Sequence, residues 1–109
     1  MSGRRGIVLM GGQECAAIEE TATGYRFQYF EEFLANPDAR SVSLTLPRRR
    51  APYESETLFP FFSGLLAEGT LREIQCRKFQ IDEDDDFGLL LETAAGDVIG
   101  AVSVRRADP

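Results

Sequence analysis

Side chains able to do chemistry are few in this sequence and do not gather. Histidine is absent, which removes the usual general base near neutral pH and the commonest metal ligand. Cys15 and Cys76 are far apart, with no further cysteine, so neither zinc spacing nor a disulfide framework is present, and both read as reduced, partly buried thiols. The densest charge feature is the acidic run Asp82, Glu83, Asp84, Asp85 and Asp86. A calcium loop needs alternating ligands, a central glycine and a closing glutamate, and this run lacks that spacing. It reads instead as the solvated first turn of a helix capped by Asp82, where the helix dipole favours each negative charge by ~0.3–1 kcal/mol. Gly11-Gly12 follows a β-rich stretch, but neither a helical pattern nor GK[ST] comes after it. That context makes it a hairpin turn rather than a phosphate cradle. The triplet Arg48, Arg49 and Arg50 is open to two readings, a solvated loop or a site for phosphate or an acidic partner. Carboxylate-pair catalysis is left open by a surface this acidic. No catalytic residue, cofactor site or metal ligand is assigned.

Length and composition bound the remaining possibilities. The 109 residues make one domain, 1–109, with an ordered core over about residues 6–105. Surface scaling for a chain this size gives about 6,000 Å² folded against about 17,500 Å² unfolded, enough burial for independent folding. A hydrophobic content of 43% with 28% charged residues is that of a folded soluble domain. The net charge of −6 argues against direct nucleic-acid binding, which needs clustered Lys and Arg. No apolar run approaches the ~18 residues of a membrane span. The basic start Met1-Ser2-Gly3-Arg4-Arg5 precedes an apolar run, residues 7–10, too short for a signal sequence. The expected location is cytoplasmic, with no membrane partner.

The pattern of apolar residues predicts the elements. Residues 7–10, 14–20 and 25–29 read as three strands of a meander, with Tyr25, Phe27 and Tyr29 on one face. A short helix is expected over 30–35, ended by Asn36-Pro37. Val42, Leu44 and Leu46 alternate with Ser41, Ser43 and Thr45, the signature of a fourth, half-buried strand. A polar loop over 48–53 then leads to Ser55 as a helix N-cap. Leu58, Phe61, Phe62, Leu65 and Leu66 recur at helical steps. Thr70 and Glu73 form a capping box for a helix over 71–79 with Leu71, Ile74 and, more weakly, Lys78 and Phe79 inward. A helix from Asp82 through Phe87, Leu90 and Leu91, a turn at Gly96-Asp97 and a closing strand over 98–104 complete the chain. The fold class is α+β: a small, mainly antiparallel sheet of four to five strands packed with about three helices from the middle of the sequence.

Residues 58–69 stand out because Phe59, Phe61 and Phe62 accompany Leu58, Leu65 and Leu66 on one short segment. A small sheet has little room to cover them all, so the segment is either core or an exposed apolar edge used for binding.

Three blocks carry a family resemblance. LTLP followed by a tyrosine-bearing loop, then LFPFFSGLLAEGTLRE, then DDFGLLLETAAGDVIGAVSV, resembles the N-terminal subdomain of HipA-type toxin kinases over about residues 7–104. Ala67 departs from the proline common after the paired leucines. The kinase core that follows in that family has no counterpart before Pro109. The arrangement looks like HipS-type proteins of tripartite HipBST toxin–antitoxin systems. The resemblance implies a non-catalytic antitoxin that binds and inhibits a HipT- or HipA-like serine/threonine kinase, with a HipB-like helix-turn-helix protein as an indirect partner. A scaffolding role, or a piece of a longer HipA kinase, is the alternative. By the same resemblance the partner-binding residues are Phe59, Phe62, Ser63, Leu66 and Glu68, on a face exposed by detachment from a kinase.

Overall fold

Gly11 and Gly12 both adopt positive φ, 60° and 83°, a conformation glycine reaches without a steric penalty. They reverse the chain between β1 (Arg5–Met10) and β2 (Gln13–Thr21). The computed structural model describes residues 3–94 and 102–107. β3 (Gly24–Tyr29) completes the expected meander, and β4 (Tyr53–Ser55) and β5 (Val102–Arg106) flank it, giving one antiparallel sheet in the order β4-β3-β2-β1-β5. The register of β1 on β2 slips between Val8 and Leu9. Cys15 sits at this bulge, its thiol donating to the Val8 carbonyl at 3.3 Å while its own carbonyl accepts from Phe30 N–H at 2.9 Å.

Four helices accompany the sheet among the described residues: α1 (Glu31–Leu34), α2 (Pro60–Ser63), α3 (Gly69–Phe79) and α4 (Asp86–Thr93). The α+β class is as expected. Phe27 is the hub of the core. Its ring meets Tyr29 at 5.0 Å, Phe62 at 5.6 Å, Tyr53 at 6.2 Å and Phe59 at 6.3 Å between centroids. Phe87, Leu89 and Leu90 of α4 and Val8 and Val104 of the sheet are also fully buried. Strand alternation sends the charges to the opposite face. There the register sets Arg5 beside Glu19, Glu19 beside Arg26 and Arg26 beside Glu54. This row alternates in sign across four strands, with ion-pair distances of 4.0 Å for Arg5–Glu19 and 3.7 Å for Arg26–Glu54.

Several expected elements are different in the structure. Residues 42–46 form a tight turn with an isolated bridge between Ser43 and Leu46, not a fourth strand. Side chains supply the competing hydrogen bonds. The buried Tyr29 hydroxyl accepts from Val42 N–H at 2.9 Å and donates to the Leu46 carbonyl, and Ser43 Oγ accepts from Thr45 N–H at 3.2 Å. The fourth strand is β4 instead, and Ser55 belongs to it rather than capping a helix. The helix expected over 58–66 contracts to the single turn α2, because Phe59 enters it extended and Gly64 closes it. Leu65 and Leu66 continue only by bonds to the third residue back.

Helix α3 lacks the capping box: Glu68 is its N-cap and no side chain caps it. Leu71 and Ile74, expected inward, are 56% and 52% exposed, and Phe79 is 38% exposed, while Cys76 is the buried residue. Helix α4 starts at Asp86, not Asp82, because Asp85 takes the cap, its Oδ1 accepting from Gly88 N–H at 3.0 Å. Asp82 organises the preceding turn, accepting from Asp84 N–H at 2.9 Å. The expected turn at Gly96-Asp97 and the start of the closing strand lie outside the described residues.

Candidate docking surface

The side chains that could do chemistry remain apart. Cys15 is fully buried, and burial pushes its thiol up to about 12, so it is a poor source of nucleophilic thiolate. Cys76 is free and buried. No group of three or more His, Cys, Asp or Glu able to hold a metal occurs among the described residues. The acidic run is not uniformly solvated, which corrects the expectation: Asp85 is bonded to Arg4, and Asp86 lies 2.6 Å from Arg72. No helix among the described residues is long and apolar enough to cross a membrane.

What the structure does assemble is a cleft of about 300 Å³ where α2, the 64–68 connection, α3 and the start of α4 meet. Pro60 at the first position of α2 starts that turn without needing an N–H partner. The turn sets Ser63 at the rim, its hydroxyl donating to the Pro60 carbonyl at 3.1 Å. Gly69, at φ 62°, redirects the chain into α3 and leaves Glu68 exposed at the helix start. Arg72, one turn on, is fixed across the cleft by Asp86 and by the Glu83 carbonyl, each at 2.6 Å. The result is an open cleft with Ser63, Glu68, Arg72 and Asp86 as its polar side chains and Pro60, Leu66 and Ala67 as its apolar ones.

The five residues expected to bind a partner fall into two layers. Ser63, Leu66 and Glu68 line the cleft, though Leu66 is only 9% exposed. Phe59 and Phe62 lie beneath, 7% and 0% exposed, in the ring cluster around Phe27. The expected exposure of those two rings is therefore not found: Phe27, Tyr29 and Tyr53 supply an aromatic wall that period-2 counting could not show converging on one spot. Among the described residues the large apolar side chains left exposed are Leu71, Ile74 and Phe79 on α3 and Leu44 in the 42–46 turn. By hydrophobicity alone Leu71 and Ile74 belong inside; by position on the helix they do not. Cys76 on the opposite side of the helix was the available signal for the true inner face.

A family sequence profile described as the HipA N-terminal domain matches residues 6–105. The chain belongs to the HipA N-terminal domain family. This HipA N-terminal domain is 34% identical over 104 residues to a protein of Haemophilus influenzae whose name assigns no function, spanning 94% of this chain and 92% of that one. It is also 33% identical over 82 residues to a Sinorhizobium fredii protein named as a candidate kinase, Y4mE, spanning 75% of this chain but 19% of that one. A solved structure, the N-terminal domain of HipA toxin, superposes with a TM-score of 0.67 at 31% identity, covering 96% of this chain and 93% of that one.

Proposed function

We propose that this HipA N-terminal domain is a non-catalytic, HipS-like antitoxin module that binds and restrains a HipA- or HipT-type serine/threonine kinase in the cytoplasm. One contrast carries the reading. The same unit accounts for 92% of one relative and 19% of a kinase-named one, so it occurs both as most of a protein and as a small part of a larger one. A unit of this kind, presented to a kinase from outside, must bind through surface that water otherwise covers. The cleft rim at Ser63, Glu68 and Arg72 and the neighbouring Leu71 and Ile74 of α3 supply polar and apolar parts of such a surface. Leu66 contributes to the cleft lining, and Phe59 and Phe62 act from below, holding the cleft wall in place. Docking there restrains the kinase by holding it in an unproductive arrangement, without chemistry in this chain. A HipB-like helix-turn-helix protein is the indirect third partner.

The test is a phosphorylation assay on a HipA-type kinase that lacks its own N-terminal domain, with and without saturating amounts of this protein. Loss of kinase activity is expected. Unchanged activity despite measurable binding would replace inhibition with scaffolding, and absence of binding would remove the reading altogether.

A further inference from the structure

Between Asp38 and Glu54 the sequence carries four arginines, Arg40, Arg48, Arg49 and Arg50, and no carboxylate, in a chain of net charge −6. At the centre of this basic stretch is the turn over 42–46, and Leu44 at its tip is 98% exposed. The turn is nonetheless rigidly built. Val42 and Leu46, on either side of the tip, are 6% and 3% exposed. Both are tied to the buried Tyr29 hydroxyl. Leu46 N–H donates to the Ser43 carbonyl at 3.0 Å, and Ser41 Oγ accepts from Arg48 N–H at 3.1 Å, closing the base. Arg49 is stacked on the Tyr53 ring at 3.6 Å and bonded to the Ala51 carbonyl at 3.1 Å. Among the described residues nothing covers the Leu44 side chain, and holding it in water gives up the gain that burial would bring.

We propose that the turn over 41–48 is a docking knob. Leu44 enters an apolar socket on a protein partner, and the exposed arginines at the base, Arg40 and Arg49, meet carboxylates at the socket rim. This rests on the proposed function in taking that partner to be the kinase. A preformed turn loses little conformational freedom on binding, the condition under which one buried side chain contributes fully to affinity. Local positive charge on an otherwise acidic protein steers it toward an acidic site and away from wrong orientations. A protein socket is favoured over a lipid surface on two grounds: the net charge of −6 opposes an anionic membrane, and insertion into lipid has no need of so exactingly fixed a turn.

Equilibrium binding of the full chain to a HipA-type kinase lacking its own N-terminal domain tests the knob. Leu44→Asp is expected to leave the melting temperature unchanged and weaken binding by at least about tenfold, equivalent to about 1.4 kcal/mol. Arg40→Glu with Arg49→Glu is expected to slow association and flatten its salt dependence. Wild-type binding that Leu44→Asp leaves intact overturns the knob and spares the proposed function, whereas no wild-type binding overturns both. A fall in melting temperature in Leu44→Asp would place the residue in the domain's own packing. Sedimentation of the wild type, but not Leu44→Asp, with phosphatidylserine vesicles would assign the turn to lipid instead. Either of these last results overturns the proposal.

Discussion

Arg4 and Asp85 lie 81 positions apart in the chain and join through two hydrogen bonds, at 2.8 and 2.9 Å. The same guanidinium reaches both oxygens of Glu20, at 2.9 and 2.8 Å. One arginine thus ties the entry to β1, the end of β2 and the cap of α4, with its Cζ 5.6 Å from the Phe87 ring centroid. Planar, two-pronged pairs of this kind are the strong class of ion pair.

Arg4→Ala is expected to cost about 2 kcal/mol, because it leaves Glu20 and Asp85 together, partly buried and of like charge. Arg4→Lys should recover less than half of that, since an ammonium cannot reproduce the fork. Urea denaturation of the three proteins measures both differences.

The same cluster sets an acid limit. Hydrogen bonds from Arg4 hold Glu20 and Asp85 below their ordinary carboxylate values. Carboxyls depressed on folding stabilise the native state above their unfolded values, about 4.3 and 3.9, and that contribution is lost as pH falls below them. The stability gap between wild type and Arg4→Ala should be full at pH 6–7 and narrow below about pH 4. Melting temperatures across pH 3 to 7 would show it, and a gap that stays constant with pH would contradict it.

Gly88 offers a test in which helix propensity and packing disagree. Alanine in place of a helical glycine ordinarily gains up to about 1 kcal/mol. Here an added Cβ would lie 2.2 Å from Asp85 Oδ2 and 2.8 Å from Arg4 Nη1, so Gly88→Ala should destabilise the domain. Thermal melting gives the sign directly.

Phe62 and the pair Leu71 and Ile74 should behave oppositely. Phe62 is fully buried, and Phe62→Ala is expected to cost about 3–5 kcal/mol, enough to threaten folding. Leu71→Glu with Ile74→Glu, at half-exposed positions, should shift stability by no more than about 0.5 kcal/mol each. If the proposed docking surface is correct, the double variant should still lose kinase binding, read by circular dichroism and pull-down together.

Tyr29→Phe should cost about 1–3 kcal/mol, because it leaves the Val42 N–H without its buried acceptor. The loss should be local. Hydrogen exchange at Val42 should accelerate in the variant, while amides of the β1–β2 ladder keep protection close to wild type.

Local chemistry in the sequence determined the meander, the short α1, the α+β class and the buried state of both cysteines. Glycine pairs, alternating aromatics and the Asn36-Pro37 stop act within a few residues of themselves. The family blocks were legible for a similar reason, because motif order and spacing survive without coordinates. What tertiary structure decided were the choices between equally good local partners. Val42, Leu44 and Leu46 alternate as a strand would, yet the Tyr29 hydroxyl from a distant strand claimed the Val42 N–H and the Leu46 carbonyl, and Leu44 between them faces outward. Leu71 and Ile74 look like an inner face until Cys76 takes that side of α3, and Phe62 looks exposed until Phe27 meets it. Arg4, Glu20 and Asp85 show no relation along the chain and become one unit only when the sheet and α4 close. Periodicity reports which residues can share a face. Which face is covered depends on long-range contacts that only the folded chain provides.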